Sequence, residues 1–134
     1  MSFIVDTSVW SLALRKSSLK PSDELAVQKL RKLIEYGEHI FLLGIILQEV
    51  LQGIKNHDQF VKVQKELSYY EVLKTDREDH VYAAGIFNTC RSKGVTASTV
   101  DFLIASVAIR NDCRLLTTDK DFGHIAKHSE LQII

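Results

Sequence analysis

Short apolar runs alternate with longer amphipathic segments along this 134-residue chain, and that alternation restricts its folding more than any other feature. Strands separated by helical segments are joined by crossovers, which makes the strands parallel and places helices on both faces of the sheet. Runs with strand character are Phe3-Ile4-Val5, His39 to Leu43, Glu71 to Leu73, Arg114 to Leu116 and a terminal Leu131 to Ile134. The intervening pattern predicts a helix from about Val9, then helices over Ser22 to Tyr36, Ile45 to Ile54, Asp58 to Tyr70, Asp76 to Lys93 and Val100 to Asn111. A short helical stretch is expected around Phe122 to Lys127.

Local signals set several boundaries. Thr7 and Ser8 suit the cap of the first helix, and Gly37 stops the second. The segment Val100 to Asn111 is apolar almost all round, so it is expected at the centre of the core. Pro21, the only proline, sits in a polar stretch before the second helix, and neither a repeat nor a low-complexity tract marks a linker. The reading is one domain, residues 1–134, of three-layer α/β/α class with a short central parallel sheet.

The bulk properties remove several function classes. An apolar fraction of 46% with 25% charged residues is the usage of a soluble globular chain. Cys90 and Cys113 form no CxxC and no zinc-like spacing, which reads as two unpaired thiols in a reducing compartment. The longest apolar stretch, Ile40 to Leu47, is far too short to span a bilayer, and no export signal is indicated, so a cytoplasmic protein is expected. Net charge is formally zero, which argues against a broad basic surface for nucleic acid. An RNA site would have to be local and assisted by metal.

In a parallel sheet ligands gather outside the carboxyl ends of the strands, and Asp6 and Asp119 both fall there. Each candidate acid also has a structural explanation. Asp6 could accept N–H groups at the start of the first helix. Ser98-Thr99-Val100-Asp101 reads as a capping box. Asp119 and Asp121 precede a short helical run and could serve the turn and its cap. Glu49 is harder to explain this way, because one turn along its helix lie Ile45, Ile46 and Gly53, and an unpaired charge near apolar surface is costly.

Taken together, capping accounts poorly for the acids, since several gather on one rim of the sheet. At roughly 4 Å one like-charged pair costs on the order of 4 kcal/mol at an effective dielectric near 20. A divalent cation removes that penalty, and oxygen-only ligands in a partly hydrated pocket suit Mg²⁺ or Mn²⁺ better than zinc.

Four segments carry a resemblance to a known family. Ile4-Val5-Asp6-Thr7-Ser8-Val9-Trp10, Gln48-Glu49-Val50-Leu51-Gln52-Gly53, Asp101-Phe102-Leu103-Ile104-Ala105 and Leu115-Leu116-Thr117-Thr118-Asp119-Lys120-Asp121-Phe122 occur in the order and spacing of PIN domains. Within that family the chain resembles the small VapC-like toxins of toxin–antitoxin pairs, over nearly its whole length.

The resemblance implies a metal-dependent endoribonuclease in which Asp6, Glu49, Asp101 and Asp119 are catalytic and bind the metal. Asp121 would be an additional or outer ligand, and Thr7 and Thr118 would support the acids by hydrogen bonds. RNA phosphodiesters would be hydrolysed by water activated on one or two cations, with no covalent enzyme intermediate. A homodimer is implied, together with an antitoxin whose peptide lies in the active-site groove; apolar helix faces within Ser22 to Tyr70 could supply such contacts. Arg15 and Lys16, at the end of the first helix, are the first candidates for RNA contacts, against the alternative of a solvated helix end. His124 and His128 have i, i+4 spacing but no third ligand and read as surface.

Other readings are a non-catalytic PIN-like binding or scaffolding module and a housekeeping RNA-processing nuclease. A phosphoryl receiver would need paired acids after the first strand, where Thr7 follows Asp6, and a haloacid-dehalogenase-like phosphatase would need an acid where Ser8 stands.

Overall fold

The computed structural model describes residues 1–14 and 18–134. β1 (Ser2–Val5) leads into α1 (Thr7–Ala13) and α2 (Pro21–Glu35), then β2 (His39–Leu43), α3 (Gly44–Gln52) and α4 (His57–Leu67). β3 (Glu71–Leu73) is followed by α5 (Arg77–Ser92) and α6 (Thr99–Arg110), then β4 (Cys113–Leu116) and α7 (Lys120–Ala126). The strands form one sheet in the order β3-β2-β1-β4, every neighbouring pair parallel. Helices flank the sheet in the expected α/β/α arrangement.

The order of the strands determines where a site can form. Two crossovers run outward from β1 through β2 to β3, and the next crossover, α5 and α6, carries the chain back to the other side of β1. The strand order therefore reverses between β1 and β4, and helices leave the sheet in opposite directions there, opening a crevice at the carboxyl ends. Asp6 follows β1 directly, and Thr117 to Asp119 follow β4. The pairing Val5↔Leu116 and the bond from Asp6 N–H to the Leu116 carbonyl, 2.9 Å, hold these two ends level.

Ile4, Val5, Leu42, Leu43, Leu115 and Leu116 are buried, which explains why these strands read as continuous apolar runs. α6 occupies the centre as expected: Phe102, Ile104, Ala105, Ser106, Val107 and Ala108 are all buried. Ser106 donates to the Asp79 carbonyl at 2.7 Å, and Arg110 reaches the Asp79 carboxylate at 2.7 Å, so a buried charge on α5 is paired from α6. Asp76 and Asp79 form a reciprocal capping box at the start of α5.

Three expectations are corrected. The terminal strand Leu131 to Ile134 is a single parallel bridge, Leu115↔Ile133. Backbone groups of successive strand residues point to opposite sides. With Leu116 turned toward β1, Leu115 alone bonds the tail, through Gln132 and Ile134. The first helix begins at Thr7, with Asp6 in the cap position, and not near Val9 with Thr7 and Ser8 as caps. The hydroxyls of Thr7 and Ser8 are instead bonded to Glu49 and Asp6. The fourth helix also ends at Leu67, short of Tyr70, where Ser68 turns its hydroxyl back to the Lys65 carbonyl at 2.6 Å.

Candidate active site

Asp6 is 6% exposed, and although it holds the cap position its side chain makes no capping bond. Ser8 Oγ donates to Asp6 Oδ2 at 2.8 Å and Thr117 Oγ1 donates to the same oxygen at 2.9 Å. Oδ1 is left without a hydrogen bond among the described residues. A buried carboxylate with one oxygen fixed by two hydroxyls and the other uncommitted is built to meet a further partner, and the capping explanation fails for this residue.

Asp119 and Asp121 stand where β4 passes into α7. Asp119 caps that helix by accepting from the Asp121 N–H at 2.9 Å, and its own N–H donates to Thr117 Oγ1 at 3.0 Å. Asp101 reaches the same place from the first turn of α6. Its capping box with Ser98 is complete, with bonds of 3.1 and 3.2 Å. Asp101, Asp119 and Asp121 each present a carboxylate oxygen within 4.8 Å of the other two. The caps and the cluster are therefore not rivals: the bonds that begin α6 and α7 also aim these side chains at one point.

Burial pushes the Asp101 carboxyl above its ordinary range, and the charges of Asp119 and Asp6 add to that push against the hydrogen bonds of Ser98. Asp6 is thus electrostatically part of the cluster, though its oxygens lie outside the close trio. Glu49, half-buried on α3, also lies outside the trio. It joins through Thr7, whose hydroxyl donates to Glu49 Oε1 at 3.0 Å from the residue next to Asp6. Of the five acids expected from the sequence, the fold brings three within a single cation's reach and ties the other two to the same rim.

Thr7 supports Glu49 as expected. Thr118 does not act through its side chain, which is exposed and makes no hydrogen bond among the described residues; its backbone N–H donates to Ser8 Oγ at 3.2 Å. The side chains that hold Asp6 are Ser8 and Thr117, neither of which sequence reasoning selected. The available signal was position: Thr117 is the first residue beyond β4, level with the first residue beyond β1. Arg15 and Lys16 lie outside the described residues. His124 is exposed and His128 half-buried, and neither joins a metal-binding group among the described residues. Both cysteines are free and buried. No helix among the described residues is long and apolar enough to cross a membrane.

The donor set fits a hard divalent cation. All its atoms are oxygens, one oxygen of the Asp6 carboxylate is uncommitted, and burial together with like charge disfavours leaving Asp101 ionised without a counter-charge.

Comparison with known proteins bears on the family and the fold. The family model described as PIN domain matches residues 3–128. A VapC ribonuclease of Mycobacterium bovis is 30% identical over 131 residues, covering 96% of this chain and 95% of that protein. A VapC ribonuclease of Mycobacterium tuberculosis matches to the same extent. Among solved structures, VapBC2 from Rickettsia felis, bound to a DNA fragment from its promoter, superposes with a TM-score of 0.79 at 22% identity, covering 100% of this chain and 98% of that one. FitAcB from Neisseria gonorrhoeae superposes with a TM-score of 0.78 at 21% identity, covering 100% and 96%. At these identities the structural matches speak for the fold.

Proposed function

The chain belongs to the PIN-domain family, and we propose that it is a divalent-cation-dependent endoribonuclease, the toxin of a toxin–antitoxin pair. The observation that carries this reading is the convergence of Asp101, Asp119 and Asp121 beside the buried, hydroxyl-fixed Asp6. Residues 1–134 are read as one such domain, acting in the cytoplasm.

Asp101, Asp119, Asp121 and Asp6 Oδ1 would hold Mg²⁺ or Mn²⁺, with Glu49 completing the rim through Thr7. When bound, the cation supplies a Lewis acid that lowers the pKa of coordinated water and offsets negative charge developing on the phosphate. The protein's own contribution is positional. Ser8 and Thr117 prevent the Asp6 carboxylate from rotating, the Ser98 box fixes the rotamer of Asp101, and the α7 cap fixes Asp119. Holding four acids ready on short strand ends and first helical turns, with Glu49 farther along α3, removes the reorganisation that flexible carboxylates would require. No histidine base is needed, in keeping with the peripheral positions of His124 and His128.

The partner reading rests on the names of the relatives and on a cleft between α1, α2 and α4. Trp10, Leu14, Leu30, Ile34, Leu67 and Tyr70 line it. An apolar groove of this kind suits the amphipathic segment of an antitoxin. Homodimerisation is part of the same proposal.

The experiment is cleavage of a total RNA pool by the purified chain in Mg²⁺ or Mn²⁺, against EDTA and against the Asp6→Ala variant. Cutting that requires the cation and vanishes in the variant is expected. An antitoxin-free preparation that cuts nothing in either metal would favour a non-catalytic module.

A further inference from the structure

Two open clefts flank the acidic rim, and each shares a wall with it. The first lies where α2 passes the end of β4, lined by Thr117, Thr118, Lys29 and Lys120 together with Ser22 and Asp23. The second lies between α1, α3 and the start of α4, where Glu49 is accompanied by Ser11, Lys55, Asn56 and Gln59. Thr117 bonds to Asp6 and Glu49 bonds to Thr7, so two successive residues connect one cleft to the other. The acids lie along that connection.

Lys29, Lys55 and Lys120 are exposed, and none of the ion pairs among the described residues uses a lysine. In the first cleft two lysines face the single carboxylate of Asp23. A chain of zero net charge offers a polyanion no long-range attraction and its acidic rim repels one locally, so a strand is held by cations placed beside the acids. Lysine suits that task, since its long flexible stem carries a point charge to a phosphate without demanding a fixed approach.

We propose that Lys29 and Lys120 on one side of the acids, and Lys55 on the other, bind the backbone phosphates flanking the bond to be cut. The RNA strand then crosses the rim from one cleft to the other. This inference rests on the ribonuclease reading and adds the groups that position the strand; such contacts carry register and not sequence.

The test is fluorescence anisotropy of a short fluorescein-labelled oligouridylate across a salt series, using the Asp6→Ala chain so that the strand is held and not cut. Lys29→Ala with Lys120→Ala forms one variant and Lys55→Ala a second. Lys127→Ala, at the C-cap of α7 and outside both clefts, is the control. Each phosphate contact on a single strand contributes about 0.7 to the log–log salt slope. The double variant is expected to lower the slope by about 1.4, the Lys55 variant by about 0.7, and the control to leave it unchanged. Unchanged slopes in the two cleft variants, an equal drop in the control, or no binding by the parent at low salt would overturn the proposal. Cleavage by chains carrying Asp6 separates this from its premise. Metal-dependent cutting with an unaltered KM in the lysine variants removes the phosphate contacts alone, whereas no metal-dependent cutting by the unsubstituted chain removes the ribonuclease reading.

Discussion

The hydroxyl of Thr117, at the end of β4, donates to Asp6 Oδ2, at the end of β1, at 2.9 Å across 111 positions of sequence. Thr117 Oγ1 in turn accepts the Asp119 N–H at 3.0 Å. One hydroxyl therefore sets the orientation of two acids on neighbouring strands. Thr117→Val keeps the shape and removes both bonds. Loss of such support to a ligating carboxylate costs about 10–100-fold in metal affinity or activity, and the unsatisfied groups cost about 1 kcal/mol of stability. Metal titration by calorimetry, beside a thermal melt, checks this; an unaltered metal affinity would show that Ser8 alone suffices.

Asp101→Asn separates the two uses of that residue. The amide oxygen can still accept from Ser98 N–H, so the capping box keeps its acceptor while the charge facing Asp119 and Asp6 is removed. In EDTA the variant is expected to melt above the unsubstituted chain. In saturating Mg²⁺ the order should reverse, because the tighter-binding chain gains more from the ligand. A lower melting temperature for the variant in EDTA would assign Asp101 to capping.

Glu49→Gln tests the acid that joins the rim only through Thr7. It preserves an acceptor for Thr7 and removes only charge. Cutting should fall by at least about tenfold, in the range seen when metal-site groups are altered, with little change in melting temperature. His124→Ala is expected to cut at the unsubstituted rate. If the histidine variant were inactive and Glu49→Gln active, the acid-and-metal scheme would be wrong.

Away from the site, Asp76 gives a pH dependence with a definite sign. The backbone N–H of Asp79 holds its carboxyl below the ordinary value, outweighing desolvation, and Arg110 adds to the effect at 3.1 Å. A depressed carboxyl pKa contributes stability that is fully present above the unfolded value, about 3.9, and is lost as pH falls through the lower folded value. Asp76→Asn retains a capping oxygen without the charge. Its melting temperature should lie below that of the unsubstituted chain at neutral pH, and the gap should close as pH drops below about 4. A gap that stayed constant with pH would point to packing.

How much of this was legible beforehand differs between elements. The strands His39–Leu43 and Glu71–Leu73 lie where their apolar runs put them, and α6 is as buried as its all-round apolar pattern implied. The terminal segment carried the same apolar pattern and yet makes one bridge, because its pairing depended on how few outward groups β4 offers. Composition contains no information about a neighbour's free edge. Thr7 and Ser8 were misassigned for a similar reason: a hydroxyl near a helix start is a good cap locally, and only the distant Glu49 and the neighbouring buried Asp6 drew them away.

The sequence by itself determined which residue types could form a cation site and that two acids would stand at strand ends, since period and apolar runs place Asp6 and Asp119 there whatever the strand order. Strand order, helix direction and register were decided by tertiary structure. The placement of β4 against β1 sets Thr117 beside Asp6, and the return of α6 along β4 brings Asp101 to Asp119 and Asp121. These contacts join residues far apart in sequence, so no local propensity encodes them. They follow from burying both faces of a parallel sheet, which leaves one arrangement of its ends.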